Sequence, residues 1–161
     1  ERIKFRVRWY GDNKDQSAKR AEIKQKLEFL NKKEIIKLNH RVFPGLNKVK
    51  TFGNDILSEI KSKNEILYLK YKMYQLHPTL INWYDRSYFF NSQSNTRITI
   101  DSDTTYQSVS TKISSKEILN IVEIKYDKKD IFIHELPFLK FTRYSKYVKG
   151  ILLTSNYKSI Y

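Results

Sequence analysis

Arg2-Ile3-Lys4-Phe5-Arg6-Val7-Arg8-Trp9-Tyr10-Gly11 opens the chain with basic and apolar residues in strict alternation up to Trp9. A period of two is the signature of a strand. It puts Lys4, Arg6, Arg8 and Tyr10 on one face and Ile3, Phe5, Val7 and Trp9 on the other. Gly11 to Asp15 has turn composition, and Arg20 to Leu27 alternates again, with Glu22, Lys24 and Lys26 on one face. The two stretches predict a hairpin whose polar face is buried or lines a cavity.

Working outward, Lys32 to Asn39 predicts a short helix closing near Arg41-Val42-Phe43-Pro44-Gly45. A second helix is expected from Asn54, as N-cap, to Lys63, with Ile56, Leu57 and Ile60 at helical spacing. Glu65 to Leu69 and Lys70 to Gln75 fit helix or extended chain equally. Thr79 to Phe90 predicts a strand with Asn82, Tyr84 and Arg86 on one face, followed by a polar turn at Asn91–Asn95. Thr96 to Asp101 continues as a strand carrying Arg97, Thr99 and Asp101 on one face. Ser102 to Ser115 is rich in Ser and Thr and predicts a loop plus an edge strand. Asn120 to Tyr126 predicts a strand that places Glu123 with Lys125. Leu136 to Ile151 predicts one or two short helices carrying Lys140, Arg143, Lys146 and Lys149. No repeat of solenoid length and no linker interrupts the chain. The expected organisation is a single domain over residues 1–161, of α+β class, mainly antiparallel β with peripheral helices.

Composition narrows the partners. The 161 residues carry 31 Lys and Arg against 17 Asp and Glu, a net charge of +14. Such a surplus recruits anions: nucleic acid, an anionic membrane surface or a small polyphosphate. The aromatic load, 9 Phe, 12 Tyr and 2 Trp, argues for a folded chain. With no Cys, disulfide frameworks, Cys-zinc sites and thiol nucleophiles are excluded. No apolar run approaches the ~20 residues of a membrane helix. The absence of Cys and of a signal segment predicts a cytoplasmic location, or the cytosolic face of a membrane through a larger parent protein. His40, His77 and His134 stand singly, and no G-x-x-x-x-G-K-[ST], G-x-G-x-x-G or G-x-S-x-G loop occurs. If a nucleotide binds, side chains rather than a glycine loop hold its phosphates.

The charged faces of the predicted strands are the functional signal. They carry Arg6, Arg8, Lys24, Lys26, Arg86, Arg97 and Lys125 among Glu22, Asp101 and Glu123. A solvated sheet face would look like this on one strand; five such strands suggest the lining of a cavity. Arginine's planar fork matches phosphate oxygens bidentately. Carboxylates among the cations suit a divalent ion such as Mg²⁺ or Mn²⁺ that shares its ligands with substrate phosphates. Basic walls and such a metal describe phosphoryl transfer, where catalysis is mostly positioning and charge stabilisation.

At this point the residues reach a family. Arg6-Val7-Arg8-Trp9-Tyr10-Gly11 resembles the R-x-R-W-Y-G strand of the VTC polyphosphate polymerase domain, of the triphosphate tunnel (CYTH-like) superfamily. Glu22-Ile23-Lys24 is similar to its first E-x-K strand, and Tyr84-Asp85-Arg86-Ser87-Tyr88-Phe89 to its Y-x-R-x-x-F segment. Arg97-Ile98-Thr99-Ile100-Asp101 resembles its R-[VI]-[ST]-[IL]-D strand, Glu123-Ile124-Lys125 its second E-x-K, and Ser145-Lys146-Tyr147 its S-K-[YF] element. The ordered set spans nearly the whole chain.

The resemblance implies a β-tunnel that holds a nucleotide triphosphate and a growing phosphate chain, with ATP and polyphosphate as partners. By matching motif, Arg6, Arg8, Lys24, Arg86, Arg97 and Lys146 are the expected phosphate ligands and Glu123 the metal-holding carboxylate for Mn²⁺ or Mg²⁺. Lys26 and Lys125 point the same way by alternation and are added as substrate-binding residues. Glu22 and Asp101 either orient the basic residues or assist the metal. The implied reaction passes the γ-phosphoryl group of ATP to a polyphosphate end. Hydrolysis of triphosphates, known in the wider superfamily, and non-catalytic binding of polyphosphate or nucleic acid are the rival readings. The family has further sequence before the R-x-R strand, so the chain is expected to be a fragment whose tunnel, incomplete at its N-terminus, is completed by a missing N-terminal segment or by another chain.

Overall fold

The computed structural model describes residues 2–11, 19–27, 30–39, 49–126 and 141–155. Its contacts sort into two compact units, Glu1–Pro78 and Thr79–Tyr161. In the first, β1 (Arg2–Arg8), β2 (Lys19–Leu27) and β3 (Leu30–Leu38) form an antiparallel sheet in that order, followed by α1 (Val49–Lys63) and α2 (Glu65–Met73). The β1–β2 hairpin expected from alternation is present, with Arg6 directly opposite Glu22 and Lys4 opposite Lys24. Residues opposite one another share a face, so parity sorts most of the sheet, with Ile35 an exception on the cationic face. Ala21, Ile23, Ile36 and Leu38 on one face pack with Ile56, Ile60 and Leu67 of the two helices, and Ile3, Phe5, Val7 and Tyr68 close around them. Phe5 meets Tyr71 edge-on, with ring centroids 5.0 Å apart. Each such buried Ile or Leu contributes about 1.5–3 kcal/mol. The helices therefore cover the apolar face, and the opposite face carries the cations.

Two local expectations are corrected here. Lys32 to Asn39 is not a helix but most of β3. Ile35 and Ile36 are β-branched and suit a strand, and the register with β2 buries Ile36 and Leu38 at alternate positions. The second helix starts at Val49, not after a cap at Asn54; Asn54 lies within α1. An N-cap is worth about 1 kcal/mol, less than the anchoring supplied by buried Ile56 and Ile60. The asparagine that does cap a helix is Asn64, whose side chain accepts from the Leu67 N–H at 3.0 Å to start α2. Glu65 to Met73, left open by sequence, is thus helical.

In the second unit, β4 (Leu80–Asn91) pairs with β5 (Thr96–Ser108). Along its other edge β5 takes β6 (Ser114–Lys116) and β7 (Ile121–Lys125), all antiparallel. α3 (Lys146–Thr154) packs on β5 and β4. The β4–β5 turn is built by Asn91, whose Oδ1 accepts from the Gln93 and Ser94 N–H groups, and by Asn95 at φ 48°. β5 runs seven residues beyond the expected end at Asp101. Between Trp83 and Asp85 the register shifts, and Asp103 opposite has φ 51°. This bulge inserts one residue, so Asp101 and then Thr104, Tyr106 and Ser108 are buried. The inserted residue breaks the period of two, so Ser102 to Ser108, in the stretch expected as a loop plus an edge strand, continues β5.

The last expected helix is shorter than predicted: residues 141–145 are not helical, and α3 begins at Lys146 behind the N-cap Ser145. Its 136–140 portion, with Lys140, lies outside the described residues, as do Asp12–Asp15, Arg41–Gly45, His40 and His134. The two antiparallel sheets and the helices give the α+β class expected from the sequence. Among the described residues no helix is long and apolar enough to cross a membrane.

α3 is seated through Gly150. A Cβ there would stand 2.5 Å from Leu80 Cδ2 and 2.6 Å from Tyr106 Cδ1. Leu80 can rotate away, but the fully buried Tyr106 ring cannot. Gly150→Ala is expected to cost about 1–3 kcal/mol of stability and to move α3 off the sheet. Thermal unfolding checks this; a variant melting with the parent would mean the contact is slack.

Candidate anion-binding faces

The first unit presents a face of cations around one buried carboxylate. Glu22, at 1% exposure, receives Arg6 through Nε at 2.9 Å and through the second guanidinium nitrogen. Arg20 Nε stands 2.9 Å from Glu22 Oε1, Lys33 Nζ 3.5 Å and Arg8 at 4.0 Å. Burial alone would raise the Glu22 pKa, but the Arg6 hydrogen bonds and the charges of Arg6, Arg8 and Lys33 outweigh it and lower it to about 2. One anion thus faces four cations. The neighbouring rows add to the surplus: Lys4, Lys24 and Lys33 lie abreast on three strands, and so do Arg8, Arg20 and Lys37. Like charges abreast repel and favour an incoming anion. Lys24 and Lys26 are exposed on this face, with Lys26 opposite Arg2 in register.

Tyr10 closes one end of the face. Its phenol oxygen accepts from Arg20 at 2.6 Å and from Arg8 at 3.2 Å. Both guanidinium carbons also lie over its ring, at 5.4 and 6.0 Å.

The second unit repeats the device on β4 and β5. Asp101, also 1% exposed, sits opposite Arg86 in register. Arg86 grips it with both arms of its fork, Nε to one oxygen and a terminal nitrogen to the other at 2.7 Å. Lys146 donates to the second oxygen from the first residue of α3. Burial would raise the Asp101 pKa; the Arg86 and Lys146 hydrogen bonds and charges lower it. The hydrogen bond to Asp101 raises the Arg86 pKa against its burial. Lys146 stands at the positive end of the helix dipole, which is costly for a cation and attractive to an anion, so Asp101 is what makes its position tolerable. Aromatic rings sheathe the pair: Tyr84 lies 4.7 Å from Lys146 Nζ and 5.0 Å from the Arg86 guanidinium. Tyr144, 6.0 Å from Lys146 Nζ, is tied to Tyr106 at 2.9 Å and to Glu117 at 3.0 Å. Its phenol pKa is pushed well up by burial and by those two hydrogen bonds.

Further along the same face, Arg97 is exposed and lies 5.8 Å over Phe90, with Lys125 opposite it on β7. Glu123 is opposite Thr99, is 49% exposed and pairs with Lys125 at 3.3 Å. Thr99 Oγ1 is buried and lacks a hydrogen-bond partner among the described residues. Among these residues no three His, Asp or Glu converge. A single exposed carboxylate beside an unsatisfied hydroxyl does not make an all-protein metal cage. It does fit a Mg²⁺ or Mn²⁺ that completes its shell with phosphate oxygens and water.

Of the residues singled out by sequence, the structure groups Arg6, Arg8, Lys24 and Lys26 on one sheet. It groups Arg86, Arg97, Glu123 and Lys125 on the other, where α3 brings Lys146 to Asp101. For Glu22 and Asp101 the orienting role is seen in their partners: both hold cations, while Glu22 Oε1 is left without a hydrogen bond among the described residues. Arg20 and Lys33 were missed. Arg20 has the parity of Glu22 and was readable; Lys33 was hidden by the helix reading of β3.

Comparison with protein families finds a match to the VTC domain over residues 1–155. No curated protein and no solved structure matches the chain.

Proposed function

Since the chain belongs to the VTC domain family, we propose that it transfers the γ-phosphoryl group of ATP to the end of a polyphosphate chain. The observation that carries this reading is the recurrence of one device: a buried carboxylate gripped by the arginine opposite it, on a face where cations exceed anions. The carboxylate fixes guanidinium and ammonium groups in advance, and fixed dipoles and charges are what stabilise a phosphoryl transition state.

In this reading Arg6, Arg8, Lys24 and Lys26 hold phosphate groups from the first sheet, and Arg86, Arg97, Lys125 and Lys146 from the second. A terminal oxygen of the acceptor chain attacks the γ-phosphorus, the bond to the β-phosphate oxygen breaks, and ADP leaves. Arg97, exposed and without a carboxylate partner among the described residues, is the cation freest to follow the charge that develops on the transferred group. Glu123, with Thr99 beside it, would hold Mn²⁺ or Mg²⁺, which when bound neutralises phosphate charge. Glu22 and Asp101 keep the basic side chains from splaying apart.

Incubation with ATP and Mn²⁺, with products resolved by gel and ³¹P spectra, tests the proposal. Long chains with ADP support it. Orthophosphate with ADP and no chains would replace it by a tunnel phosphohydrolase. Tight polyphosphate binding with no turnover would make the protein a binding module. Glu123→Gln is expected to abolish the metal dependence of turnover while leaving the melting temperature unchanged, since the side chain is half exposed. A metal titration identical to that of the parent would move the ion elsewhere.

A further inference from the structure

The end of the first sheet carries a donor that the reaction scheme above leaves unused. A phenol has one proton to give and two lone-pair positions to receive. Tyr10 accepts from both Arg20 and Arg8, at 2.6 and 3.2 Å. Its own proton must therefore point away from both guanidiniums. Tyr10 is 38% exposed, and its hydrogen bonds with both arginines lie at the surface. The result is an outward O–H flanked by two cations. Arg8 and Arg20 are also opposite one another in register and have like charge. Glu22 draws on both, but it already serves Arg6 and Lys33.

We infer that Tyr10 and Arg20 extend the phosphate site: the Tyr10 hydroxyl donates to a phosphate oxygen, and Arg20 with Arg8 brackets that phosphate group. The ligand class is an anionic tetrahedral group presenting several oxygens, here one unit of a polyphosphate chain. The inference rests on the polyphosphate reading and adds two ligands to it. Phosphate at this point completes the phenol's hydrogen bonding and relieves the repulsion between the two arginines.

Titration calorimetry with tripolyphosphate tests it on the parent protein, Tyr10→Phe, Arg20→Gln and the double variant, each first shown to melt as a folded protein. Tyr10→Phe keeps the ring and its stacking and removes only the hydroxyl. It is expected to weaken binding about tenfold, as for a hydrogen bond to a charged partner. Arg20→Gln should weaken it by at least as much and also reduce its salt dependence, since a charge is lost. The double variant should bind more weakly than Arg20→Gln alone. Unchanged affinity in Tyr10→Phe overturns the inference while leaving the polyphosphate reading intact. A double variant no weaker than Arg20→Gln overturns it too, since the hydroxyl would then act only by steadying the arginine. Failure of the parent protein to bind tripolyphosphate overturns both readings together.

Discussion

Arg97→Ala is expected to lower phosphoryl transfer from ATP by at least about 100-fold, the scale of removing one fixed donor from a developing charge, with no loss of thermal stability. The two halves of this expectation come from one observation. Arg97 is exposed on β5, rests over the Phe90 ring and makes no ion pair with a described carboxylate. Its removal leaves no buried charge unmatched. The same substitution at Arg86 would strip the fork from fully buried Asp101 and confound chemistry with stability. The effect of Arg97→Ala belongs in kcat as well as in kcat/KM, because a charge that responds to the transition state is not spent on ground-state binding. A variant that turns over like the parent would remove Arg97 from the site and leave the second unit with Lys125 and its Asp101-bound cations.

The contrast between Arg97 and Arg86 marks the limit of what parity reveals. Alternation of basic and apolar residues placed Arg6 and Arg8 on one face of β1, Lys24 and Lys26 on one face of β2, and Arg97 with Asp101 on β5. Those faces are the observed ones. Parity says nothing of which strand residue lies abreast of which. That Arg6 meets Glu22, and Arg86 meets Asp101, depends on the register, which turns and bulges set. Without it, a carboxylate among cations reads equally as a metal ligand or as an orienting group. With it, Glu22 has four cations within 4.0 Å and Asp101 has two ion-pair partners, so each carboxylate orients basic side chains.

Other failures have separate causes. In β3 the pair Ile35-Ile36 puts apolar groups on both faces, and Ile35 is indeed 49% exposed, so the period of two is masked. In β5 the bulge at Asp103 shifts the phase, so the strand's second half falls in a stretch that reads as a loop plus an edge strand. Lys33 followed the first error out of view. The contribution of Lys146 needed no local pattern but a long-range one: α3 must sit on Tyr106 and Leu80, through Gly150, before its first residue can reach Asp101.

Glu22→Gln carries the largest expected effect on stability, and its sign can be worked through. The amide leaves Arg6, Arg8, Arg20 and Lys33 facing one another without their shared counter-charge. Breaking a buried pair costs about 3–5 kcal/mol, but these cations are 22–42% exposed and partly screened by solvent, so about 2–3 kcal/mol is expected here. The pH dependence gives an independent readout. Glu22 has its folded pKa lowered to about 2 from an ordinary 4.5. Its stabilisation is therefore full above pH 4.5 and is lost as the pH falls from there towards 2. Asp101 also titrates low and is common to both proteins, so the difference between parent and variant isolates Glu22. That difference in melting temperature should be largest above pH 4.5 and shrink on acidification. Tripolyphosphate should restore more stability to the variant than it adds to the parent, because in the variant it supplies the only anion for the cluster. Superimposable pH profiles would mean that Glu22 does not hold these cations. A difference that shrinks on acidification with no larger gain from tripolyphosphate would mean that the cluster holds its charges for the fold alone.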